Sequence, residues 1–121
     1  MKILRTKWRN LKAAYGALGT LLREESTFQI QVFGAFLTVA LAYLLQISYL
    51  EWLIVILTIG AVLATEAFNT ALEELCDHVT LEHHPRIGKI KDLGATASGL
   101  IGCSALIIGC LIFIPRIASL L

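Results

Sequence analysis

The sequence predicts an all-α integral membrane protein: three spanning helices after an amphipathic surface helix, forming one domain over residues 1–121. Three observations predict it. Apolar residues make up 57% of the chain, against roughly 45–50% in soluble domains. They are blocked together, with no charged residue between positions 26 and 50 or between 93 and 115. Each stretch exceeds the ~20 residues needed to cross hydrocarbon. The charges, finally, are sorted. Lys2, Arg5, Lys7, Arg9, Lys12 and Arg23 crowd the start, and Arg86, Lys89 and Lys91 lie between the second and third apolar segments. The connection near 46–51 has no Lys or Arg, and Arg116 is alone near the end. Positive residues favour the cytoplasmic side. The N-terminus and the 79–91 loop are therefore expected inside, and the C-terminus outside. The net charge of +1 says nothing about nucleic acid.

The surface helix is expected over about 4–24. Leu4, Trp8, Leu11, Tyr15, Leu18 and Leu22 recur at helical spacing, and Arg5, Arg9, Lys12 and Arg23 mostly lie off that stripe. Such a helix suits an anionic membrane surface. The start does not read as a signal peptide, because its charges run through Arg23 with no short apolar core and small-residue cleavage site. Membrane helices are expected over about 26–46, 52–78 and 87–114. Pro85 disfavours a continuous helix between the last two, and Pro115 marks the end of the third. Gly94, Ala95, Ala97, Ser98, Gly99, Gly102 and Gly109 make that third helix rich in small residues, which let helices approach closely in lipid. Cys76, Cys103 and Cys110 fit no metal-ligand spacing and read as small apolar packers. Such a thin protomer does not easily enclose a polar site, so a homo-oligomer with sites between protomers is expected.

The stretch TEAFNTALEELCD, residues 65–77, breaks this apolar pattern. At 100° per residue, Glu66, Asn69, Thr70, Glu73 and Asp77 form one polar stripe on a helix. From Trp52 to Glu66 is about 21 Å of helix, within the ~30 Å of hydrocarbon. Glu66 is expected inside the membrane edge, with Glu73 and Asp77 near headgroup level. Acids at such depth are usually functional, and Glu66 is a candidate general base. Glu73 and Asp77 are wetter and suit a divalent cation, since Mg²⁺ prefers hard oxygen ligands and bridges to phosphates.

The 79–91 loop brings Glu82, His83, His84, Arg86, Lys89 and Lys91 to the same side, followed by Asp92, and Glu24-Glu25 precede the first span at this level. Taken singly, Glu24, Glu25 and Glu82 read as solvated acids, His83-His84 as an ordinary loop before a proline, and Lys89 as a topology charge. Together they surround a deep acid with ligands for a cation and cations for an anion. Phosphoryl transfer needs that combination. Neither a GxxxxGK(S/T) P-loop nor a GxGxxG turn is present, so an ATP-using enzyme here uses no common nucleotide fold.

The run EAFNTALEELCD, followed by EHHP and KD, resembles the prokaryotic diacylglycerol kinase and undecaprenol kinase family. Its hallmark is E-x-x-N-S/T-A-I/L-E-x-x-x-D on the second membrane helix and a K-D pair opening the third. The resemblance runs from about residue 10 to 114. It implies ATP-dependent phosphorylation of a membrane lipid alcohol by a homotrimer, with Mg²⁺ and composite sites at the cytoplasmic interface. By the same resemblance Glu66 is the base facing the lipid hydroxyl, Asn69 supports it, and Glu25 and Glu73 bind the metal, Glu25 occupying the E-x-x-F place in ESTF. Glu25, Glu73, Asp77, Glu82, His83, His84, Lys91 and Asp92 are the implied ATP contacts. Two departures stand out: Ala13 replaces an aromatic residue of the surface helix, and Thr6 lies where the family has an arginine nearby.

The run YLEWLIVILTIGAVL, N-T inside the motif and HHP after it look more like the undecaprenol kinase branch. Undecaprenol is thus the expected acceptor, with diacylglycerol as the alternative. A small proton-coupled transporter would also pair few helices with an intramembrane Glu, but would not need Glu73, Asp77, Lys91 and Asp92 beside it. A structural membrane adaptor would tolerate Glu66→Gln.

Overall fold

A computed structural model of the chain describes residues 1–80 and 82–121. It contains α1 (Lys2–Glu24), α2 (Ser26–Leu44), α3 (Tyr49–Val79) and α4 (Pro85–Ala118), with no strand among the described residues. The last three are each long and apolar enough to cross a membrane. α3 lies between α2 and α4 and packs on both, while α1 packs on α2.

α1 and α2 meet at a single extended residue. Glu25, at φ −104° and ψ 106°, is both the C-cap of α1 and the N-cap of α2. Its N–H donates to the Leu21 carbonyl (3.1 Å), and Gln29 Nε2 donates to the Leu22 carbonyl (2.9 Å). Carbonyls that the ending helix would orphan are thereby satisfied. No residue of α1 is buried, and its apolar stripe, Trp8 and Tyr15 included, faces outward. That is the arrangement of a helix whose apolar side is left for a membrane surface.

α2 stops at Leu44 rather than 46 because Gln46 turns left-handed, at φ 52°. Ile47 N–H donates to the Ala42 carbonyl (3.3 Å) and Gln46 N–H to the Tyr43 carbonyl (3.2 Å). These are the paired bonds of a Schellman stop, closed by buried Ile47 against buried Ala42. α3 then starts three residues before the expected Trp52, at Tyr49. Ser48 caps it: Glu51 N–H donates to Ser48 Oγ (3.2 Å), and Ser48 N–H donates to Glu51 Oε1 (3.0 Å). This reciprocal S-x-x-E capping box satisfies two otherwise free donors.

α4 opens on Pro85, where a missing N–H does no harm. It does not end at Pro115 but runs on to Ala118. Proline removes the bond that would go back one turn. The turn beyond it is held instead by Arg116, which donates to the Gln46 carbonyl (3.2 Å) and forms an ion pair with Glu51. The same end carries the apolar core of Ala42, Ile47, Val55, Ile112 and Phe113, with Trp52 packed against it. The protomer is thus pinned at the α2–α3 turn. Counted from Trp52, about 30 Å of hydrocarbon takes up about 20 residues and ends near Leu72. The acidic end of α3 lies beyond it.

Of the free cysteines, Cys76 is buried as a packer should be, whereas Cys103 and Cys110 are exposed.

Candidate active site

The polar stripe of α3 is met by one face of α4, in antiparallel register. Lys91, Gly94 and Ser98 follow one another at one-turn spacing and face Asp77, Asn69 and Glu66 respectively. Lys91 Nζ donates to Asp77 Oδ1 at 2.5 Å in an ion pair whose side chains are partly exposed. At Gly94 a Cβ would lie 2.6 Å from Asn69 Oδ1 and 2.8 Å from Leu72 Cδ2, so the close approach of α4 to Asn69 depends on glycine. Ser98 Oγ donates to Glu66 Oε2 at 3.3 Å.

Glu66 is the one buried charged residue among those described, at 8% exposure. Its position one turn inside Asn69 places an acid under the cover of α4. Asn69 Oδ1 is buried with no hydrogen-bond partner. An orphaned oxygen of this kind costs about 1–3 kcal/mol, as Gln31 Oε1 on α2 also does. Beside it, Thr65, Phe68, Leu72, Gly94 and Ala97 line an apolar hollow of about 380 Å³ with Asn69.

The outer groups are less assembled. Glu73, Asp77 and Asp92 are exposed on their helices, and Glu82 and His83 are exposed before α4. His84 caps α4, its Nδ1 accepting from Arg86 N–H at 3.2 Å. Glu25 is half-buried at the α1–α2 corner. No hydrogen bond or ion pair joins Glu25 to Glu73, and no group of three His, Cys, Asp or Glu side chains comes together among the described residues.

Residues 12–113 match the family model of prokaryotic diacylglycerol kinase. The match covers both halves of the motif, on α3 and on the start of α4. The chain belongs to the prokaryotic diacylglycerol kinase family. It is a membrane lipid kinase, as the motif at 66–77 predicts, and an all-helical one. The chain is 36% identical over 95 residues to the undecaprenol kinase of Bacillus subtilis, covering 78% of this chain and 77% of that one. It is 26% identical over 105 residues to the diacylglycerol kinase of Escherichia coli K12, covering 87% and 80%. To the diacylglycerol kinase of Pseudomonas aeruginosa it is 33% identical over 75 residues, covering 62% and 61%.

Within this kinase, Gly94 and Ser98 are the site neighbours that sequence reasoning did not single out. Both were grouped as small residues of a lipid-packed helix. The signal was available as spacing: both lie at helical intervals from the Lys91 of the K-D pair. The remaining small residues behave differently. A Cβ at Gly99 or Gly102, both exposed, would meet nothing within 4 Å, so this part of α4 is small toward the outside of the protomer.

Proposed function

We propose that this lipid kinase phosphorylates undecaprenol, with Glu66 as the base that takes the proton of the lipid hydroxyl. The observation that carries the site is the burial of Glu66 beside Asn69, at a depth a lipid headgroup alcohol can reach. The higher identity to an undecaprenol kinase supports the acceptor. Diacylglycerol is the second reading, supported by the several relatives named diacylglycerol kinase.

The hydroxyl enters from the bilayer beside Glu66, and the γ-phosphate arrives from the aqueous side. Glu66 accepts the proton, the alcohol oxygen bonds to phosphorus, and the bond to the ADP oxygen breaks in line. No phospho-enzyme is required. Asn69 orients the reacting groups. Lys91, now paired with Asp77, offers its charge to a phosphate oxygen, and Asp92, Glu82, His83 and His84 border the nucleotide.

Glu25 and Glu73 are the residues for Mg²⁺. They fit it by donor chemistry: both are hard carboxylates, and two protein ligands suffice for an ion that keeps waters and phosphates in its shell. When bound, the ion would neutralise negative charge on the transferring phosphate. The outward small face of α4 and the solvent-exposed Glu73 both support a homotrimer in which one protomer completes the site of another. The basic α1 and the Arg86–Lys91 cluster support a cytoplasmic N-terminus and a site at the cytoplasmic face of the inner membrane.

The test supplies purified protein with Mg²⁺ and γ-labelled ATP in mixed micelles, offering undecaprenol and diacylglycerol separately. Label in undecaprenyl phosphate supports the proposal. Label chiefly in phosphatidic acid selects the second reading. Label in neither lipid from a folded oligomer would overturn both.

A further inference from the structure

Helical hydroxyls normally bond back to the carbonyl one turn earlier. Thr65, Thr96 and Ser104 do so here, to Ala61, Asp92 and Leu100. Ser98 does not. Its Oγ leaves α4 and reaches Glu66 Oε2 on α3, 32 residues away in sequence. Ser98 is half-buried and Glu66 is buried, so the contact lies largely out of water.

Among the described residues no other side chain hydrogen-bonds this carboxylate. α4 carries no charged residue between Asp92 and Arg116, and α2 carries none within Ser26–Leu44. Tyr43 lies at the far end of α2, and Cys103 and Cys110 lie further along α4 beyond Ser98. On α3 itself the nearest charges are Glu73, two turns away, and Glu51, four turns away. Lys91 is taken up by Asp77.

We infer that Ser98 is the positioning residue for Glu66, fixing which carboxylate oxygen meets the lipid hydroxyl. Resting on the reading of Glu66 as base, the inference deepens that reading. With Oε2 held by Ser98, Oε1 is the oxygen left to accept the proton. Once Oε1 carries the proton, Oε2 is the carbonyl oxygen of the acid and still accepts from Ser98 Oγ. Ser98 therefore holds the Glu66 side chain both before and after proton transfer, which keeps the acceptor oxygen in reach through the cycle.

The test compares Ser98→Ala, Ser98→Thr and Ser104→Ala in micelles with labelled ATP and lipid, with Glu66→Gln in parallel. Ser98→Ala is expected to lower kcat roughly tenfold, with KM for ATP and lipid changed by less than about twofold. Ser98→Thr, which keeps the hydroxyl, restores kcat to within about threefold. Ser104→Ala, which loses only a bond to its own helix, leaves kcat unchanged. In a Glu66→Gln background, Ser98→Ala adds no further loss. Unchanged kcat in Ser98→Ala overturns the inference, and so does equal loss in Ala and Thr variants with a lowered melting temperature, which would mark a packing role. Full activity in Glu66→Gln overturns the underlying reading instead, so the two failures are told apart.

Discussion

Replacing Gly94 with valine tests whether α4 holds Asn69 in place. The Cβ alone would stand 2.6 Å from Asn69 Oδ1 and 2.8 Å from Leu72 Cδ2, well inside the ~3.5–4.0 Å of an unstrained contact. Both atoms are side-chain ends, so alanine can be taken up by swinging Asn69 and Leu72 aside. Valine adds two γ-carbons in the same space and forces α4 away. Its better helix propensity returns only a few tenths of a kcal/mol over glycine, against roughly 1–3 kcal/mol for overpacking. The net expectation is destabilisation by about 1–2 kcal/mol. Loss of activity should exceed what this explains, because Asn69 no longer sits beside Glu66. Thermal unfolding in detergent, paired with kcat for label transfer, measures both. Alanine should fall between wild type and valine in kcat, with nearly native stability. A valine variant with native kcat and native melting would refute the claim that this approach positions Asn69.

Two further outcomes follow from the same geometry. Arg116→Ala removes the link from α4 to Gln46 and Glu51 at the end remote from Glu66; it should lower the melting temperature while the remaining folded protein keeps native KM for ATP, measured by thermal shift and steady-state kinetics. Exchanging Lys91 and Asp77 keeps the ion pair but reverses its polarity. That double variant should melt like wild type and yet bind ATP at least tenfold more weakly, as equilibrium nucleotide binding would record, because a carboxylate then faces phosphate from α4.

Helix number, order and membrane character were legible because charges are absent from long stretches and sharply grouped elsewhere. The polar stripe was legible because Glu66, Asn69, Glu73 and Asp77 repeat at helical spacing. Boundaries were read less well where local chemistry overrode hydropathy. Ser48 and Glu51 start α3 early through reciprocal caps that an apolar count passes over. Gln46 stops α2 by taking a left-handed conformation usually left to glycine. Arg116 carries α4 past Pro115 through partners found only after the chain has returned. The pairing of Ser98 with Glu66 needs the register of α4 on α3, which is set by tertiary packing after Pro85. Glu25 and Glu73 show the opposite limit. Their pairing as metal ligands is implied only by the family resemblance, and among the described residues no three His, Cys, Asp or Glu side chains come together.

If Glu66 removes the proton from the lipid alcohol, Glu66→Gln all but stops phosphoryl transfer while leaving the fold intact. Glutamine keeps the shape and an acceptor for Ser98 Oγ, but has no carboxylate to take a proton. The measurement is label transfer from γ-labelled ATP to undecaprenol in micelles, alongside melting temperature and ATP affinity. Native melting, native ATP affinity and a rate lowered about 10²–10⁴-fold are expected. A glutamine variant that phosphorylates lipid within tenfold of the wild-type rate would contradict that role for Glu66.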